Sequence, residues 1–169
     1  MSVVLNTERL TLREFSLGDA SFIVVLVNSP GWIQFIGDRG IATVGDAERY
    51  LTNGPLQSYA SNGFGLWCVC LSPNEQPIGM CGLLQRESLA QIDLGFAFLP
   101  THAGHGYALE AVTGTVQYAR ERLGAEVLLA ITVPENIRSI RLLEKIGFRF
   151  ERVHRMDAED LQVYSLRPI

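Results

Sequence analysis

The chain has 169 residues, 47% of them hydrophobic, and a formal net charge of −4. That length supports one domain over residues 1–169 with a proper core, and no apolar run nears the ~18 residues that a membrane span needs. The negative balance argues against general nucleic-acid binding and suits a cationic substrate.

Met1 to Arg9 lacks a basic start followed by a long apolar segment, so no secretion signal is expected and the cytoplasm is the expected compartment. From Thr7 to Phe15, Leu10, Leu12 and Phe15 alternate with Arg9, Thr11 and Arg13, the pattern of a strand with one buried face. Asp19 is expected to cap a helix carrying Phe22, Ile23, Val25, Leu26 and Val27, which Asn28-Ser29-Pro30-Gly31 stops. Trp32 to Gly45 reads as irregular. Gly45-Asp46 then opens a second amphipathic helix through Ala47, Tyr50, Leu51, Leu56 and Tyr59, which Gly54-Pro55 must break or bend.

Phe64 to Leu71 and Ile78 to Arg86 read as strands, joined into a hairpin by the polar, proline-rich turn Ser72 to Pro77. With the strand that follows at Ile92 they make an antiparallel meander. Cys68, Cys70 and Cys81 lie in these apolar runs; an odd count there is no disulfide framework and fits buried thiols in a reducing compartment. Cys68-x-Cys70 lacks a second pair to complete four ligands, so no metal is expected. Further on, Glu126 to Val133 is a β-rich run reached by a strand-helix-strand crossover, and therefore parallel to the Ile92 strand. Pro134-Glu135-Asn136 introduces a helix from Ile137 to Ile146 with Ile140, Leu143 and Ile146 inward, ended by Gly147 with Phe148 packed behind it. Phe148 to Arg155 and Leu161 to Leu166 close the chain as strands. The fold class is α/β, of α+β type: a mixed, mostly antiparallel sheet with one parallel pair and flanking helices.

The stretch from Ile92 to Leu123 organises the rest. A strand (Ile92 to Phe98) and Leu99-Pro100 lead into the loop Ala103-Gly104-His105-Gly106-Tyr107-Ala108, and Ala108, Ala111, Val112, Thr115, Val116, Ala119 and Leu123 then recur at helical spacing. A helix opening out of glycines presents unpaired N–H groups and its positive dipole end to one point, where an anion such as a phosphate fits. The same glycines also suit a plain strand-to-helix turn. A nicotinamide-binding reading of Gly104-x-Gly106 fails, because Leu109 stands where a third glycine is needed and Glu126 precedes its strand instead of following one.

These residues carry a resemblance. The chain resembles the GNAT superfamily of acetyl-CoA-dependent amine N-acetyltransferases, most of all its Rim-type branch, which acetylates the N-termini of ribosomal proteins and related substrates. The similarity rests on Thr7 to Arg13 with Asp19-Ala20, on Pro77-Ile78-Gly79, on Gly104 to Ala108 with Glu110-Ala111, and on Asn136 to Phe148. It implies a pyrophosphate loop on Ala103, Gly104, His105, Gly106, Tyr107 and Ala108, with Ala103 departing from the Gln or Arg usual at that position. It also implies a splayed pair of parallel strands with the pantetheine arm in the gap, pairing with backbone near Phe98, and pantetheine contacts from Asn136, which can cap its helix as well. Acetyl-CoA is the implied co-substrate and the acceptor a peptide N-terminus or small amine. A homodimer is compatible with the resemblance.

Acetyl transfer to an amine needs one proton removed from the nucleophile and one given to the thiolate. Along the central strand Ile92, Leu94, Phe96 and Phe98 share one face, and Asp93, Gly95 and Ala97 the other. Asp93 beside two small residues is the first candidate for a base or an amine-binding anion, with a salt-bridged carboxylate as the other reading. Glu87 and Glu110 are alternatives, Glu110 also reading as a solvated or capping residue. For the acid, the Tyr that family members often carry is replaced by Leu143, and Ser139 falls on the donor position of the N-terminal-acetylating branch, where a second capping hydroxyl is the other reading. His102 and His105 read as solvated loop residues, and His154 is given no role. Ala103 and Leu143 together leave room for a non-catalytic acyl-CoA-binding domain.

Overall fold

The computed structural model describes residues 2–168. Its centre is an eight-stranded sheet built from β1 (Val3–Asn6), β2 (Leu10–Arg13), β3 (Leu66–Leu71), β4 (Gln76–Leu84), β5 (Asp93–Phe98), β6 (Leu128–Thr132), β7 (Arg149–Met156) and β8 (Glu159–Leu166). The spatial order is β1-β2-β3-β4-β5-β6-β8-β7. Every neighbouring pair is antiparallel except β5 and β6. The helices are α1 (Ala20–Val27), α2 (Pro30–Phe35), α3 (Val44–Leu51), α4 (Gln57–Asn62), α5 (Tyr107–Leu123) and α6 (Ile137–Ile146).

Strand alternation divides the side chains between two layers of helix. In β3, Trp67 and Val69 join the core under α5, where Ala111, Val112, Val116 and Ala119 meet Leu10, Leu12, Ile78 and Leu83. Cys68 and Cys70, one step out of phase, face the opposite layer with Ile23 and Leu26 of α1, Trp32 of α2 and Leu51 of α3. The central strand divides the same way. Leu94, Phe96 and Phe98 pack on the α5 side, whereas Ala97 and Leu99 pack on the α1 side. Cys68, Cys70 and Cys81 are free and buried.

Several expectations from the sequence change. Val3–Asn6 forms an edge strand, paired with β2 and not foreseen, because four residues are too few to show alternation. Pro30 does not end helix formation; it sits at the first turn of α2, where its missing N–H costs nothing, so part of the stretch read as irregular is helical. The next helix starts at Val44, with Thr43 as its cap accepting from Asp46 N–H at 3.1 Å. The Asp19 carboxylate makes no cap bond to α1. It accepts instead from Ser16 N–H at 2.9 Å and from both Arg13 Nη atoms at 2.9 Å. Gly54-Pro55 widens one turn, Thr52–Leu56, between α3 and α4, and the helical path continues through it.

At the other end of the chain Leu143 is buried and Ile140 and Ile146 pack against the core. Gly147 follows α6 with φ +116°, and Phe148 N–H returns to Leu143 C=O at 3.0 Å.

Candidate active site

The sheet forks between β5 and β6. On one side β5 pairs with β4 along its length, from Leu84 opposite Asp93 to Gly79 opposite Phe98. A side chain at Gly79 would lie 2.5 Å from the Ala97 carbonyl and 2.6 Å from the Phe98 ring, so that close approach requires glycine. On the other side β5 meets β6 in one register pair, Asp93 with Leu129, and Leu129 N–H donates to Ile92 C=O at 3.0 Å. Beyond it β6 follows β8, pairing from Leu128–Leu166 to Thr132–Gln162. The β6-facing backbone of the rest of β5 therefore has no ladder partner among the described residues. Because β5 and β6 run the same way, α5 and α6, which follow them, both begin at the open end of the fork.

At that end a tight turn, Pro100–His102, feeds the loop into α5. Gly104 and Gly106 have φ of +81° and +80°, left-handed conformations that put Gly106 at the helix cap. No side chain caps α5, and its first return bond runs from Glu110 N–H to Gly106 C=O at 3.1 Å. The N–H groups of Tyr107, Ala108 and Leu109 precede that bond and have no intrahelical acceptor. The loop's geometry is thus the one its glycines predict. Ala103 offers it only a methyl group. The His105 ring stacks on Tyr107 at 5.5 Å between centroids, and its Nδ1 lies 3.0 Å from Ala103 C=O. His102 keeps its Nδ1 3.1 Å from Thr101 Oγ1.

A cation enters this loop from far away in the sequence. Arg9, on the turn between β1 and β2, directs Nε to Glu110 Oε1 at 2.8 Å and Nη1 to His105 C=O at 2.9 Å, and its guanidinium carbon lies 4.6 Å from the centre of the Tyr107 ring. Arg9 N–H and Thr7 Oγ1 donate to Glu110 Oε2 at 2.8 and 2.5 Å. Glu110 is therefore neither solvated nor a cap. Burial would raise its pKa, but the bonds from Thr7 and Arg9 outweigh that and hold it below the usual carboxylate range. Sequence reasoning missed Arg9; Thr-x-Arg and a distant Glu give no local sign that they meet.

At the vertex of the fork Asp93 is 1% exposed. Its carboxylate oxygens lie 3.3 and 3.2 Å from Arg86 Nε, and Arg86, a residue the sequence did not single out, is itself partly exposed. Burial pushes the Asp93 pKa up, and Arg86 offsets only part of that shift. Glu87 is exposed on the link before β5.

At the start of α6, Asn136 accepts from Ser139 N–H through Oδ1 at 3.2 Å, a helix cap. The Ser139 hydroxyl, half-buried, makes no hydrogen bond among the described residues. Among those residues no cluster of three or more His, Cys, Asp or Glu could hold a metal ion. No helix among the described residues is long and apolar enough to cross a membrane.

Residues 9–149 match the family described as Acetyltransferase (GNAT) domain. The uncharacterised N-acetyltransferase YoaA of Bacillus subtilis is 27% identical over 175 residues, covering 98% of this chain and 97% of the relative. An acetyltransferase from Agrobacterium tumefaciens superposes with a TM-score of 0.83 at 27% identity, covering 99% of this chain and 96% of that one. The ribosomal-protein-S5-alanine acetyltransferase of Vibrio fischeri superposes with a TM-score of 0.74 over 98% of this chain and 97% of its own; at 17% identity it shares the fold.

Proposed function

Since the chain belongs to the GNAT acetyltransferase family, we propose that it moves an acetyl group from acetyl-CoA directly to a primary amine, a peptide N-terminus or a small amine, within a ternary complex. The observation that carries this reading is the fork: one parallel pair joined only at Asp93–Leu129, with an uncapped glycine loop at its open end. The open N–H groups at Tyr107, Ala108 and Leu109 would receive the pyrophosphate, and the unpaired edge of β5 from Phe98 inward would pair with the amides of the pantetheine arm. The thioester would then point toward the vertex. Asn136, at the start of the facing helix, would contribute an amide to the arm.

In this reading Asp93 is the base or the anion that draws in the protonated amine, and a carboxyl whose pKa is raised by burial suits a base better than an ordinary one. Its burial makes an intervening water the natural path to the amine. Ser139, with a free hydroxyl at the α6 terminus, would return a proton to the departing thiolate.

The test is to incubate the protein with acetyl-CoA and a panel of peptides and small amines and to measure free CoA. Amine-dependent release is expected. Tight acetyl-CoA binding without release from any acceptor would instead favour a non-catalytic acyl-CoA-binding domain.

A further inference from the structure

We propose that Arg9 is a phosphate-binding residue of the glycine loop, supplying from the β1–β2 turn the permanent positive charge that the loop's own side chains lack. Residues 103–108 contain no Lys or Arg. Arg9 is fixed there from three sides, by Glu110 at Nε, by the His105 carbonyl at Nη1 and by the Tyr107 ring. Its conformational entropy is therefore already lost before any ligand arrives, which favours a further contact. Nη2 makes no hydrogen bond among the described residues, and it lies 3.3 Å from where a Gly106 Cβ would stand. The free donor of the guanidinium is thus at the central glycine of the loop, next in the chain to the open N–H groups of Tyr107, Ala108 and Leu109. A planar guanidinium beside backbone N–H groups is a fitting receptor for phosphate oxygens.

Glu110 supports the arrangement. A free carboxylate in the first turn of α5 would compete with an incoming anion for the helix terminus. Here both of its oxygens are held by Thr7 and Arg9, on the Nε side of the guanidinium.

The inference rests on the acetyl-CoA reading, and the experiment separates the two. Acetyl-CoA is titrated calorimetrically into the wild type, Arg9→Gln and Arg9→Lys, at about 0.05 and 0.5 M sodium chloride, with thermal melts as a check on folding. Arg9→Gln should bind roughly tenfold to a hundredfold more weakly at low salt. The gap should narrow at high salt, because a charge contact is screened and a distorted loop is not. Arg9→Lys should recover part of the salt-sensitive affinity. Unchanged affinity in Arg9→Gln, a gap equal at both salts, or an Arg9→Lys variant as weak and as salt-insensitive as Arg9→Gln would each overturn the assignment. A wild type that binds no acetyl-CoA would overturn the acetyl-transfer reading itself, a result distinct from equal binding by wild type and variant.

Discussion

Asp93 and Leu129 face each other across the one register pair that joins β5 to β6, and Arg86 holds the Asp93 carboxylate at that point. Among the described strands the only parallel pair is therefore joined at one end, where buried Asp93 meets the partly exposed Arg86, and open at the other to a glycine loop. An extended strand rises about 3.3 Å per residue, so the five steps from Asp93 to Phe98 span roughly 16 Å. That is a long enough unpaired edge for several backbone hydrogen bonds to an extended ligand.

Gly106→Val tests the open end. Gly106 has φ of +80°, and a side chain there would come within 3.3 Å of Arg9 Nη2. A β-branched residue resists that conformation, and its methyls would stand before the open N–H groups. Acetyl-CoA affinity should fall by at least ~2 kcal/mol, roughly thirtyfold. Calorimetry on the folded variant checks this, and unchanged affinity would count against the loop as the pyrophosphate site.

Asp19→Asn tests what steadies α1 at the opposite layer. Burial alone would raise the Asp19 pKa, but the bonds and charge of Arg13 and the Ser16 N–H outweigh it and hold it low. Since the folded value lies below the unfolded one, the carboxylate stabilises the fold above pH ~4, and this contribution is lost as pH falls through the depressed folded value. The variant leaves Arg13 largely buried without its charge partner, which costs about 3 kcal/mol and lowers the melting temperature by roughly 6–12 °C at neutral pH. Melts from pH 7 down to pH 2 should show the wild-type and variant curves converging below pH ~4. Parallel curves would contradict the ion-pair account.

Much of this architecture is legible in the amino-acid sequence, and the reason is periodicity. The alternation in β2, the unbroken apolar run of β3, the helical spacing from Ala108 to Leu123, and Gly147 after α6 each state a local rule that the structure keeps. The parallel placement of β6 follows from the crossover alone. What is hidden is tertiary. Asn28 to Gly31 reads as a stop, but Pro is equally at home in a first helical turn, and what favours α2 is the burial of Trp32 in one cluster with Ile23 and Leu26. The partners of the site, Arg9 for Glu110 and Arg86 for Asp93, are chosen by how strands and turns come together, so Asp93 is legible as a candidate whereas its ion pair is not.

The cysteines test the chemical route. Cys68 and Cys70 lie with sulfurs 3.7 Å apart among the buried residues under α1, and Cys81 lies 3.3 Å from Thr115 Oγ1 with burial pushing its thiol up to about 12. Direct transfer needs no acyl-enzyme, so the combined Cys68→Ala, Cys70→Ser and Cys81→Ala variant should keep its activity in whatever fraction folds. Mass spectrometry of the wild type after acetyl-CoA alone checks the same point. An acetyl-cysteine that disappears on adding amine would establish a covalent route.

Asp93→Asn is the most informative change, because it keeps the shape of the side chain and removes its charge at the vertex of the fork. If Asp93 takes the amine proton through water, or holds the amine as its counter-ion, kcat/KM should fall by roughly a hundredfold or more, with acetyl-CoA affinity little changed. Part of the loss should return at higher pH, where the free amine needs no base. Stability moves by a separate rule. The folded pKa of Asp93 is raised, by burial first and with Arg86 opposing, so the stability it contributes is complete below pH ~4 and is lost as pH rises through the folded value. Asp93→Asn should therefore remove a downward slope from the wild-type melting curve just above pH ~4, while Arg86 loses its partner but stays partly exposed to water. Kinetics and melts together separate the roles. A variant whose melting curve changes in this way, yet whose kcat/KM matches the wild type at every pH, would assign Asp93 to the fork alone and turn attention to Glu87 or to a chain of waters.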